Sequence, residues 1–237
     1  MELFVFFYIF TKKSKMTIEK YLQKESVSIV FLGEFNPVIL QPFWLLNKGL
    51  IREEEANNAK VGVIHNEIVK YELDWVSIEI TKQRCEFTTT KSPYFDPMRD
   101  LVASVFKILK ETPIKSLGIN HIFDLKLPNA DLYYEFGNIL CPLNNWDGSL
   151  KDPRLLQLEI LEKERKDGIS GQYRIRITPA NPKMTYGVSI NINDHYDLEH
   201  GQAGTNMEIV KKLEENWNNS LIRAKETVKN ILHKTNL

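Results

Sequence analysis

Apolar and polar residues alternate with a period of two over several short stretches of this chain, and with a helical period between them. Val27-Ser-Ile-Val-Phe-Leu32 is a strand candidate that ends at Gly33. Asn36 then reads as a helix N-cap, with Pro37 at the first helical position, where no N–H is needed. Val38 to Leu50 is a short, very apolar helix carrying Phe43 and Trp44, interrupted by Pro42. From Ala59 to Thr90 the pattern is β. Tyr71, Leu73 and Trp75 alternate with Glu72 and Asp74; Val76, Ile78 and Ile80 follow after a change of phase that requires a turn or bulge. Lys82-Gln-Arg84 is a tight turn into Cys85–Thr90. Asp96-Pro97 repeats the start of cap then proline, and Leu101, Val105, Ile108 and Leu109 mark one helical face up to Pro113.

The same order then runs a second time. Leu117–Leu125 is a strand, and Pro128-Asn129 opens a helix bearing Leu132, Phe136, Ile139 and Leu140. Cys141–Pro153 is a loop. Three strands follow, marked by Leu156, Leu158 and Ile160, by Tyr173, Ile175 and Ile177, and by Tyr186, Val188, Ile190 and Ile192. Thr205 and Glu208 form a capping box for a last helix of about 27 residues, ~40 Å long at 1.5 Å per residue. Its stripe is Ile209, Leu213, Trp217, Leu221, Ala224, Val228 and Ile231. Helices with one apolar stripe and strands with one apolar face bury them on each other. The predicted fold is therefore α+β: two βαβββα halves forming a curved, mainly antiparallel sheet with helices packed on one face. Residues 16–237 are expected to be one domain made of two pseudo-repeats, about 26–112 and 113–233. Residues 1–15, with apolar Leu3–Phe10 followed by Thr11-Lys-Lys-Ser-Lys15, read as a disordered or over-called extension, and Met16 as the natural start. Eight apolar residues are too few for a membrane-spanning helix, which needs roughly 20.

Composition narrows the function classes. Basic and acidic residues balance at 31 each, so the basic excess that non-specific nucleic-acid binders carry is lacking. Cys85 and Cys141 are too few and too scattered for a disulfide framework or a metal knuckle and fit a reducing, cytoplasmic compartment. Neither has a paired His–Asn context. No phosphate-cradling or catalytic motif stands out, and no cofactor is expected.

Three groups of residues carry candidate chemistry. Asn120, His121 and Asp124 are placed at the end of one strand, and Asn193, Asp194, His195 and Asp197 at the end of another. His121, Asp124, Asp194 and His195 are metal-ligand types that a two-fold relation between halves could bring together; turn-forming hydrogen bonds explain the same residues without a metal. Arg174 and Arg176 share a strand face, and with Lys163 and Arg165 they form either a basic stripe or a solvated face paired with Glu159, Glu162 and Glu164. Phe35, Phe43 and Trp44 either line a pocket or, as aromatic residues near a helix start more often do, belong to the core, and Trp75 and Trp217 read as core.

Leu117-Gly-Ile-Asn-His-Ile-Phe123, the run Val188–Leu198 and the long closing helix with Trp217 resemble a sporadically distributed family of uncharacterised bacterial proteins, over roughly residues 26–233. That resemblance implies a mobile or defence-linked gene and carries no catalytic residues over. The duplicated order is similar to the two-repeat saddle of TATA-binding-protein-like folds, although the paired Phe wedges of such saddles have no counterpart here. The leading expectation is a non-enzymatic module for a protein partner, binding through the helix-free sheet face with Arg174, Arg176, Glu79 and Glu159 as contacts. The alternatives are a nucleic-acid binder using that face and a metal-dependent hydrolase.

Overall fold

The computed structural model describes residues 17–146, 148–198, 206–235 and 237. Leu3–Phe10, the expected Thr205 cap and the run from Glu199 to Gly204 lie outside them. Among the described residues, nine strands form one sheet in the order β2-β3-β4-β5-β1-β6-β9-β8-β7, and every pairing is antiparallel. The strands are β1 (Leu22–Gly33), β2 (Lys60–Ile64), β3 (Ile68–Glu72), β4 (Ser77–Thr81), β5 (Arg84–Thr89), β6 (Ile114–Lys126), β7 (Leu158–Glu162), β8 (Gly171–Pro179) and β9 (Gly187–Asp197). The helices are α1 (Thr17–Tyr21), α2 (Pro42–Asn47), α3 (Glu53–Asn57), α4 (Phe95–Ile108), α5 (Ala130–Leu140) and α6 (Asn206–Lys234). The fold is α+β, a curved antiparallel sheet with helices on it.

Local chemistry sets most element ends. Pro42 splits the expected Val38–Leu50 helix into a 3-10 turn at Pro37–Ile39 and α2, because a proline inside a helix removes a hydrogen bond and clashes with the preceding turn. Asn129 caps α5 by accepting a hydrogen bond from Leu132 N at 2.9 Å. Asp96 lies inside the first turn of α4 rather than capping it, and its Oδ1 accepts a hydrogen bond from Trp217 Nε1 at 2.7 Å. The phase change after Trp75 is the β3–β4 turn, closed by Leu73 N donating to Val76 O. The hairpin β2–β3 adds one strand to the expected order.

Alternation then divides the sheet into two faces. Val27, Ile29 and Phe31 of β1, Leu117, Ile119 and Phe123 of β6, and Ile190 and Ile192 of β9 point to the helices and are buried. Phe31 meets Phe106 of α4 edge to face at 4.6 Å. Burying a Phe or Ile side chain contributes about 1.5–3 kcal/mol, so this layer dominates the stability. It forms two clusters, and α6 belongs to both. Ile209, Leu213 and Trp217 pack with α4 and the β1–β5 side; Ala224, Val228 and Leu232 pack with α1, α5 and the β8–β9 side. Of the residues expected as core, Phe35 and Trp217 are buried, Trp44 and Trp75 are half-buried, and Phe43 is 57% exposed. No helix among the described residues is long and apolar enough to cross a membrane.

Candidate binding surface on the open face of the sheet

The second face of the sheet carries no part of either apolar cluster. Its centre is built from small and polar side chains: Ser26, Ser28 and Val30 on β1, Ser116, Gly118 and Asn120 on β6, Asn191, Asn193 and His195 on β9. Registers place Ser28, Asn120, Asn193 and Arg174 in one row across four strands. Asn120 Nδ2 donates to Ser28 Oγ at 3.0 Å, and Asn193 Nδ2 donates to Asn120 Oδ1 at 2.6 Å. These amides thus hold one another in fixed orientation. A Cβ on Gly118 would stand 3.2 Å from Asn193 Nδ2, so glycine keeps the floor open there. The result is a concavity of about 470 Å³, rimmed by Arg84, Arg174 and Arg176 and bordered by Gln172 and His195.

Charge on this face is organised in paired wings. On β8 and β7, Arg174 and Arg176 both reach Glu159 Oε1, at 3.4 and 3.1 Å. On the other wing Glu79 and Glu86 stand directly opposite each other across β4 and β5. Lys70 bonds Glu79 at 2.7 Å and Arg84 bonds Glu86 at 2.5 Å, which offsets the like-charge contact. Arg174, Arg176 and Glu159 are therefore neighbours, whereas Glu79 belongs to the far wing, beyond β5, β1, β6 and β9.

The four residues expected to share a metal do not converge. They are in the body of paired strands, not at turns, and alternation sends them to opposite faces. His121 faces the helices, fully buried, with Nε2 3.0 Å from Ser220 Oγ of α6. Burial, with Lys225 nearby, lowers its pKa to about 3, so it is neutral. Asp194 also faces the helices. Asp124 and His195 lie on the open face, where His195 Nε2 is 3.0 Å from Asp197 Oδ1. Among the described residues no group of three or more His, Cys, Asp and Glu is placed to hold a metal ion. The expected meeting of the two strands is realised by Asn120 and Asn193 instead.

Arg165, expected beside Lys163 on a basic stripe, turns inward. Its side chain is 1% exposed and bonds Asp194 Oδ1 at 2.5 Å and Asp167 Oδ2 at 2.5 Å. Tyr196 OH donates to Asp194 Oδ2 at 2.8 Å, and burial, then the Asp194 charge, push the Tyr196 pKa up. Asp167 also accepts from Arg223 at 3.3 Å, and its pKa is lowered chiefly by the Arg165 hydrogen bond. Arg223 lies 3.7 Å over the Tyr173 ring and bonds Glu162. These groups pin the β7–β8 connection, β9 and α6 to one another.

No protein-family model matches the chain, and no curated protein matches it.

Proposed function

We propose that this protein is a non-enzymatic binding module whose helix-free sheet face receives a protein partner. The observation that carries the reading is the central concavity: a rigid floor of mutually bonded amides and hydroxyls, with arginines on its rim and carboxylates within reach of each. Such a mixed, prebonded surface suits a polar protein segment, because charged rims steer encounter and ordered amides supply hydrogen bonds at little entropic cost. Arg174, Arg176 and Glu159 are the contacts on one wing and Glu79 on the other. The reading includes two fused copies of one unit: β1 and β6 lie antiparallel at the sheet centre, and β5, β4, β3 and β9, β8, β7 follow outward in corresponding order. A role in a bacterial defence or mobile-element system rests on the family resemblance alone.

A photo-cross-linking amino acid at Arg176 or Glu79 tests this in cells, with Asn218 on the exposed side of α6 as control. Protein adducts from the sheet positions and none from Asn218 support the proposal. Equal adducts from all three, or none, refute it. The second reading, a nucleic-acid binder, draws on Arg84, Arg174 and Arg176, but phosphates must displace Glu86 and Glu159 to reach them. Adducts that nuclease removes, and retention on DNA or RNA that falls steeply with salt, favour that reading.

A further inference from the structure

The two outer strands of the sheet are built differently. The ladder of β2 with β3 shifts register between Val61 and Val63, with Gly62 at the irregularity. Such a bulge blunts an edge against further pairing. The ladder of β7 with β8 runs from Leu158 to Glu162 without a shift. No Pro, Gly or Lys interrupts β7, and it exposes apolar side chains on both faces: Ile160 is 52% exposed and Leu161 47%, with Leu156 just ahead at 76%. Among the described residues no strand pairs with the outer side of β7, and an unbroken edge of backbone donors and acceptors, apolar above and below, is a template for another strand.

We propose that β7 is a dimerisation edge, and that its occupant is a second copy of this chain paired antiparallel about a two-fold axis at Leu161. The segment is complementary to itself in that register. Leu161 lies against its own copy on the open face, and Glu159 lies opposite Lys163 of the other copy, twice by symmetry. Both Arg174 and Arg176 use Glu159 Oε1, which leaves Oε2 for the lysine. On the helix side Ile160 meets the stem of Glu162 of the other copy, whose carboxylate Arg223 draws back. A two-fold at Glu159 would oppose two carboxylates, which selects against it. The sheet would then run continuously through both copies, with the two concave faces on the same side.

The full chain is measured by light scattering over a concentration series, as itself and as Leu161→Lys. A species of twice the chain mass is expected. Leu161→Lys, which sets two ammonium groups opposite each other, is expected to raise the dissociation constant ~10-fold or more while leaving the circular dichroism spectrum unchanged. Register is read by cysteine trapping in a Cys141→Ser background. Leu161→Cys forms an interchain disulfide under mild oxidation, whereas Glu159→Cys, whose opposite number is Lys163, does not. A monomer at every concentration overturns the proposal. So does a dimer indifferent to Leu161→Lys, or equal trapping at both positions. Slow amide exchange across β7 in a monomer means that another part of the chain covers the edge, and equally overturns it.

Discussion

Replacing Asp194 by alanine tests the interior of the molecule most directly. Asp194 and Arg165 are each 1% exposed at the side chain, and Asp194 also accepts from Tyr196 OH. Asp194→Ala leaves Arg165 with Asp167, which is 35% exposed and already shared with Arg223, and leaves the Tyr196 hydroxyl without its acceptor. Removing one partner of a buried pair typically costs about 3–5 kcal/mol, because the other charge stays desolvated. In a chain of this size that corresponds to a fall in Tm of roughly 6–20 °C. Urea denaturation followed by tryptophan fluorescence measures it, with Arg176→Ala as the exposed comparison, expected to cost no more than ~1 kcal/mol. The double replacement Arg165→Met with Asp194→Leu removes both charges together and is expected to cost less than Asp194→Ala alone. A loss below ~1 kcal/mol for Asp194→Ala, or a double replacement that costs the sum of its parts, would refute the assignment of a buried, mutually dependent pair.

Acid sensitivity follows from His121, whose pKa falls from 6.5 in the unfolded chain to about 3 in the fold. Between those values only the unfolded chain takes up this proton, so stability is full above pH 6.5 and declines by about 1.4 kcal/mol per unit below it. His121→Leu is expected to flatten that limb, and an unchanged slope contradicts the burial argument; Lys225, itself paired with Glu25, is the charged group that acts on it. Burial pushes the Cys85 thiol well above its ordinary pKa, while Cys141 is half-buried. Iodoacetamide is therefore expected to label Cys141 in the native protein and Cys85 only on unfolding, as peptide mass mapping will reveal. Gly171 has φ 140°, and a Cβ there would approach His195 O to 2.0 Å. Gly171→Ala is expected to cost roughly 1–3 kcal/mol in urea, and a neutral result counts against this β8–β9 contact.

How much of this was legible in the sequence depended on the range of the interaction. The stripe from Ile209 to Ile231 and the alternation of Val188, Ile190 and Ile192 are local patterns, and they predicted α6 and β9 well. The same alternation contains the correction to the metal reading. Asp194 is in phase with Ile190 and Ile192, so it faces the helices, and its neighbour His195 must face away. His121 is in phase with Leu117, Ile119 and Phe123 and is therefore core. Arg165 could not be placed this way. It lies beyond the end of β7, and what draws it inward is a carboxylate 29 residues later, a pairing that leaves no local mark. Asn120 and Asn193 stand out in the sequence as residue types, yet their bond depends on the β6–β9 register, which no single strand encodes.

Among the described helices α6 alone belongs to both apolar clusters, so the interior stays open until a segment far behind β1 has been synthesised. Translation at roughly 5–20 residues per second puts on the order of 10–35 s between β1 and Asn206. During that interval Ile29, Phe31, Ile119 and Phe123 have no Leu213, Trp217 or Val228 above them. A chain cut short before Asn206 would leave wet the part of that layer that α6 covers, a natural client for chaperones and proteases. Emergence of α6 is thus the step that closes both clusters at once.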